Sequence, residues 1–124
     1  ASDVYKRQGL ARIISATRYS WLGLKAAWRH EAAFRQEATI AIVGLPLAIL
    51  LARDAVEFLL LVMPIFILIL TELVNSAIEA AIDRFGGEHH ELSGRAKDMG
   101  SAAVLMAIIL TCISWITILG NIYL

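Results

Sequence analysis

Three long apolar stretches constrain this chain more than any other feature of its sequence. Met99–Leu124 contains no charged residue over twenty-six positions, and Ala55–Asp83 opens with a dense apolar run and stays compatible with a helix throughout. An α-helix rises about 1.5 Å per residue, so each stretch is longer than the roughly 30 Å hydrocarbon layer of a bilayer. Both are therefore predicted to cross a membrane.

The remaining stretch is shorter. Ala38–Ala52 holds fifteen uncharged residues, including Pro46, and would reach roughly 22 Å as a helix. A helix that continues back through Phe34 gains the missing length, with Arg35 and Glu37 at the headgroup level or against other helices. The sequence thus predicts an all-α membrane protein with transmembrane helices at about 34–52, 55–83 and 99–122.

Composition and charge agree with this prediction. Of the 124 residues, 59% are apolar and 18% are charged, against roughly 45–50% and about 25% in soluble domains. A soluble domain this short could not hide so much apolar surface from water. Eleven basic residues balance eleven acidic ones, so the basic surface typical of a nucleic-acid-binding protein is absent and no nucleic-acid partner is expected.

The distribution of Lys and Arg predicts the orientation. Seven of them precede the uncharged run that begins at Ala38, one lies in the first connection and three lie in the second. Cytoplasmic segments carry the excess of basic residues. We therefore expect the N-terminus and the second connection in the cytoplasm and the C-terminus outside.

The segment before the first span has the pattern of an amphipathic helix at about 10–30. Leu10, Ile14, Trp21 and Trp28 fall on one stripe, and basic residues such as Lys25 flank it. This pattern is typical of a helix that lies in the headgroup plane of a membrane. A helix docked on a protein partner would show the same pattern.

Polar residues occupy one face of the second predicted span. At 100° per residue, five side chains fall within a stripe about 100° wide: Glu72, Asn75, Ser76, Glu79 and Asp83. We call this set the polar face. Twenty residues counted from Ala55 end near Val74, which places Glu72 close to the cytoplasmic boundary.

Carboxylates at this depth indicate a functional site. A charge in or near hydrocarbon costs a few kcal/mol unless it meets a protein interior, a cation or a metal. Glu72, Asn75 and Glu79 carry oxygen ligands at a spacing that suits a hard cation. Asp83, considered alone, is equally well explained as part of a solvated surface.

The other polar residues allow more than one interpretation. Glu31 lies among basic neighbours, so a surface ion pair accounts for it as simply as a site does. In the second connection, Gly86-Gly87 predicts the end of a helix and Ser93 is predicted to cap the next one. His89, His90 and Glu91 only weakly suggest zinc, because adjacent histidines rarely reach one ion. None of the common nucleotide-binding loops is present.

Three motifs together resemble the small prokaryotic diacylglycerol kinases. They are EAAFRQE at 31–37, ELVNSAIE at 72–79 followed by Asp83, and ELSGRAKDMGSAAV at 91–104. The resemblance implies a homotrimer in the bacterial inner membrane, each chain with three transmembrane helices and an N-terminal surface helix. It also implies transfer of the γ-phosphoryl group of MgATP to diacylglycerol, giving phosphatidate, with Glu72 as the general base.

The resemblance further implies the binding residues. Glu31 and Glu79 match the metal ligands for Mg²⁺. The nucleotide-binding positions, which include these two, also comprise Arg12, Tyr19, Asn75, Glu88, His89, His90, Lys97 and Asp98. Besides Glu72, the positions near the lipid substrate are Ser20, Trp21, Arg35, Glu37 and Ser101.

Residues 1–9 do not resemble the family's N-terminus and are expected to be a foreign leader, leaving one kinase domain at 10–124. An undecaprenol kinase of the same family would carry the same site residues, although the run after Asp98 is more similar to the diacylglycerol branch. A non-enzymatic subunit or a proton-linked transporter would need acids nearer the bilayer centre.

Overall fold

The computed structural model describes residues 2–85 and 90–124, with side chains from Lys6 onward, and these residues form helices and no strand. The helices are α1 (Ser2–His30), α2 (Ala32–Leu51), α3 (Ala55–Asp83) and α4 (Glu91–Tyr123). By length and composition, α2, α3 and α4 are each able to cross a membrane. The predicted all-α fold and its three candidate spans are therefore confirmed in this part of the chain.

Two helix starts differ from the predictions. α1 begins at Ser2 and so continues through most of the expected leader. α4 begins at Glu91, well before the uncharged run, because His90 adopts an extended backbone and its Nδ1 accepts the Leu92 N–H at 3.0 Å. A side chain that satisfies a free N–H in the first turn caps a helix. The prediction of Ser93 as the cap is therefore wrong, whereas Gly86 and Gly87 lie outside the described residues.

The chain divides into two compact units, Ala1–Ala32 and Ala33–Leu124. In the first, α1 exposes the apolar side chains of its predicted stripe, including Leu10, Ile14 and Trp21. Lys25 Nζ lies 5.9 Å from the centre of the Trp21 ring, within the range of a cation–π interaction. The helix predicted before the first span is therefore present, and it begins earlier than expected.

In the second unit, α3 packs mainly along α4. Its apolar core joins Ala48 of α2, Leu61 and Val62 of α3, and Ile118 of α4. In the same region, Trp115 Nε1 donates to the Leu61 carbonyl oxygen at 2.9 Å. This hydrogen bond fixes α4 against α3, since polar groups between apolar helices have few other partners.

The turn between α2 and α3 is held by hydrogen bonds among Arg53, Asp54 and Glu57. Asp54 caps α3, its Oδ1 accepting the Glu57 N–H at 2.8 Å. The Arg53 guanidinium donates to both carboxylate oxygens of Glu57, which is buried. Hydrogen bonding to Glu57 raises the pKa of Arg53 above its ordinary value, so the guanidinium stays charged.

The apolar core lies in the half of the second unit next to the α2–α3 turn. The polar face lies toward the other end, where α2 begins, α3 ends and α4 begins. This arrangement brings Glu37 of α2, the polar face of α3 and the start of α4 to one end of the second unit.

Candidate active site

The polar face is buried at its start and becomes exposed toward its end. Glu72 is 4% exposed, Asn75 8% and Ser76 7%, whereas Glu79 is half-buried and Asp83 is exposed. The buried residues lie three and four positions after Glu72, as expected for residues on one face of a helix. The predicted shared face agrees with this pattern of burial. Glu72 is thus surrounded by protein, while the last turn of α3 is exposed at the surface of the unit.

A second buried carboxylate lies near Glu72. Glu37 of α2 is 8% exposed, and it is close enough to Glu72 for their charges to repel one another. Two carboxylates in a dry environment are costly to keep ionised together. The structure therefore brings one carboxylate from α2 and one from α3 together inside the second unit.

Three buried oxygen atoms have no hydrogen-bond partner within the described residues: Glu37 Oε2, Asn75 Oδ1 and Ser76 Oγ. Unsatisfied buried polar atoms are rare in proteins and often mark a ligand or functional site. All three belong to the region around Glu72. Ser76 was placed on the polar face by its spacing, but no role was predicted for it.

Asn75 links the buried and exposed parts of the polar face. Its Nδ2 donates to Glu79 Oε1 at 3.4 Å, one helical turn away. Its Oδ1 lies so close to Gly100 of α4 that a Cβ atom at this position would overlap it. This contact between α3 and α4 was not predicted, because it depends on the register of the two helices.

The start of α4 contributes cations. Lys97 Nζ donates to Asp83 Oδ1 at 2.6 Å, joining α4 to the last turn of α3. Both side chains are largely exposed, so this ion pair adds little stability. Lys97 therefore lies beside the edge of the polar face, while Asp98 and Ser101 are exposed on the same helix.

The remaining predicted residues are distributed over both units. Four of them are exposed on α1 of the first unit: Arg12, Tyr19, Ser20 and Trp21. Glu31, which follows α1, is half-buried. The Ser20 hydroxyl donates to the Ala16 carbonyl oxygen of its own helix. Arg35 is half-buried in α2. Glu88 and His89 lie outside the described residues.

The described side chains form no cluster of three or more His, Cys, Asp or Glu able to hold a metal ion by themselves. His90 uses its Nδ1 as the α4 cap. Magnesium ions, in contrast to zinc, are commonly bound by one or two carboxylates together with substrate phosphates. The oxygen atoms of Glu79 and Asn75 are of the chemical type that Mg²⁺ prefers.

Comparison with known proteins extends this description. The family model for prokaryotic diacylglycerol kinase matches residues 18–119. The chain is 53% identical over 113 residues to the diacylglycerol kinase of Escherichia coli K12, covering 91% of this chain and 93% of that protein. It is 47% identical over 111 residues to the Pseudomonas aeruginosa enzyme, covering 90% of each chain. For the Haemophilus influenzae enzyme the identity is 44% over 112 residues, covering 90% of this chain and 95% of that one.

These matches span both units and all three motifs, and the relatives are bacterial. Together with the three apolar helices, they identify a multi-pass membrane protein. The chain belongs to the prokaryotic diacylglycerol kinase family.

Proposed function

We propose that the buried part of the polar face is the phosphoryl-transfer site of this enzyme. As a diacylglycerol kinase, the chain is an ATP-dependent lipid kinase. One observation carries the assignment: Glu72 is buried within the second unit, beside a second buried carboxylate, Glu37. A membrane protein keeps such groups at a cost, which an acid–base role accounts for.

Glu72 acts as the general base. Its carboxylate takes the proton of the diacylglycerol hydroxyl as that oxygen attacks the γ-phosphorus of ATP. The bond from the γ-phosphorus to the β–γ bridging oxygen breaks, giving phosphatidate and ADP, and Glu72 later releases its proton to water. Predicted depth near the headgroups suits this role, because the lipid hydroxyl is presented there. Burial excludes water that would otherwise compete for the phosphoryl group.

Glu31 and Glu79 are proposed to hold Mg²⁺. The chemistry of the residues fits this ion, since Mg²⁺ is commonly bound by one or two carboxylates together with substrate phosphates, and Glu79 supplies carboxylate oxygens at the edge of the buried part of the polar face. When bound, Mg²⁺ neutralises phosphate charge during transfer. Asn75 orients the Glu79 carboxylate through its side-chain amide.

The nucleotide phosphates are proposed to bind at the start of α4. Lys97 is exposed enough to exchange Asp83 for a phosphate oxygen, because an exposed ion pair is weak. Arg12 supplies a second cation, and Tyr19, His90 and Asp98 complete the described nucleotide positions. Glu88 and His89 are assigned to the same region by resemblance alone.

The lipid is proposed to approach through α2 and the surface helix. Glu37, Arg35 and Ser101 lie in the second unit, and Ser20 and Trp21 lie on α1. Trp21 suits the membrane interface, because an indole ring has both an apolar body and a polar N–H group. Glu37 has a buried oxygen free of hydrogen bonds in the described part of the chain, which suits binding a hydroxyl group.

The assembly is proposed to be a homotrimer with its active sites at the cytoplasmic face of the inner membrane. Basic residues concentrate before α2 and between α3 and α4, which supports this orientation. A shared assembly would also give the polar faces a common protein environment away from lipid.

The test is ATP-dependent phosphorylation by purified protein in lipid micelles, with diacylglycerol and undecaprenol supplied separately and with Mg²⁺ omitted as a control. We expect phosphatidate formation that requires Mg²⁺. The Glu79→Gln variant is expected to need about tenfold or more Mg²⁺·ATP for half-maximal rate, whereas Asp83→Asn serves as the matched loss of a neighbouring carboxylate. Equal Mg²⁺·ATP requirements in the two variants would contradict the metal role of Glu79.

A further inference from the structure

The side chain of Asn75 lies between two groups that together fix its orientation. Its Nδ2 donates to Glu79 Oε1 at 3.4 Å. Its Oδ1 is buried and accepts no hydrogen bond from any described residue. The orientation of the Asn75 carboxamide is therefore determined by Glu79 on the side of Nδ2 and by the packing neighbour of Oδ1 on the other side.

That neighbour is Gly100, which is buried in α4. A Cβ atom at this position would overlap Asn75 Oδ1 and would lie 3.2 Å from Asn75 Cγ. The carboxamide thus fills the space that any other residue at position 100 would need.

The other described glycines differ from Gly100. A Cβ at Gly9, Gly23, Gly94 or Gly120 would meet nothing within 4 Å. At Gly44 it would lie 2.8 Å from Ile65 Cδ1, the end of a flexible side chain that can rotate away. Only at Gly100, among these positions, does the missing side chain leave room for a polar group of the proposed site.

We propose that Gly100 is a positioning residue for phosphoryl transfer, which holds the Asn75 carboxamide in the orientation that presents its amide to Glu79. A methyl group at position 100 displaces the carboxamide, so Glu79 loses its hydrogen bond and its carboxylate turns. The inference rests on the proposed role of Glu79 in binding the metal–nucleotide complex.

The test is a double-mutant cycle on Gly100→Ala and Asn75→Ala. Binding of Mn²⁺ with a non-hydrolysable ATP analogue is followed by electron paramagnetic resonance, and the apparent KM values for ATP and diacylglycerol are measured in parallel. Gly100→Ala is expected to weaken binding about tenfold and to raise the KM for ATP but not for the lipid. It is expected to add no further loss in the Asn75→Ala background, because the carboxamide has already been removed. Equal losses in both backgrounds, or no loss, would overturn the inference.

A second readout is independent of the metal. In metal-free protein the side-chain amide signal of Asn75, identified by its absence in Asn75→Ala, is expected to shift in Gly100→Ala and to stay in place in Gly120→Ala. An unshifted signal in Gly100→Ala would overturn the inference whatever the outcome for Glu79. The Glu79→Gln variant is measured in the same way. If it binds Mn²⁺ and the ATP analogue as tightly as wild type, the metal role of Glu79 is refuted. The contact between Gly100 and Asn75 is then still tested by the amide signal.

Loss of folding is also informative. Should Gly100→Ala fail to assemble, the double variant with Asn75→Ala is expected to recover assembly, since the overlap is relieved. A double variant that still fails to assemble would overturn the inference.

Discussion

Lys97 of α4 donates to Asp83 at the end of α3 at 2.6 Å, and this ion pair joins the two helices on either side of the second connection. Both groups are largely exposed, so the pair contributes little to stability. Its position matters more, because it keeps a cation beside the last turn of the polar face.

Replacement of Lys97 should therefore affect nucleotide binding more than folding. We expect Lys97→Ala to raise the KM for ATP about tenfold or more, which corresponds to the loss of a charge-assisted hydrogen bond to phosphate. Asp83→Asn breaks the same ion pair but leaves the cation, so its KM for ATP should not rise. Initial rates over a range of ATP concentrations distinguish the two variants, and a similar increase in both would refute a phosphate contact.

The turn between α2 and α3 offers a test of stability away from the proposed site. Arg53→Ala leaves the buried Glu57 carboxylate without its cation, which is unfavourable. We expect the thermal midpoint in detergent to fall by several degrees. Adding Glu57→Gln should recover part of the loss, because the unpaired charge is removed.

The activity of the folded fraction should stay close to wild type in both of these turn variants, since the turn lies at the opposite end of the unit from the polar face. A thermal midpoint that falls further in the double variant would contradict the account of this turn.

Packing of α3 on α4 is tested at Trp115. Its indole donates to the Leu61 carbonyl oxygen at 2.9 Å, so Trp115→Phe should reduce the free energy of unfolding by about 1 kcal/mol. Thr111→Val is the matched control, because the Thr111 hydroxyl makes its short bond, 2.8 Å, within α4 and only a longer one, 3.4 Å, to the Pro64 carbonyl oxygen. Unfolding in mixed micelles should show a larger loss of unfolding free energy for Trp115→Phe than for Thr111→Val. A larger loss for Thr111→Val would show that the hydrogen bond between the helices is unimportant.

Local sequence was sufficient for features that depend on one helix. Uncharged length predicts the spans, and a period near 3.6 residues places Glu72, Asn75 and Ser76 on one face, where the structure buries them. The bounds of α3 match the predicted 55–83.

Contacts between helices could not be predicted in this way. The proximity of Glu37 to Glu72, the fit of Asn75 against Gly100 and the bond from Trp115 to Leu61 all depend on how two helices are rotated and shifted against each other. That register results from packing over their full length rather than from any short motif. The start of α4 was placed incorrectly for a different reason, since an imidazole caps helices less often than the hydroxyl of Ser93 would.

The Glu72→Gln variant tests the assignment of Glu72 as the general base. Glutamine keeps the shape of the side chain but cannot take the hydroxyl proton, so we expect turnover to fall by about 10²–10⁴-fold. Binding of Mn²⁺ with the ATP analogue and assembly should remain close to wild type. Glu57→Gln, a second buried glutamate on α3, is the matched control and should keep its turnover. Full turnover by Glu72→Gln would contradict the proposed mechanism.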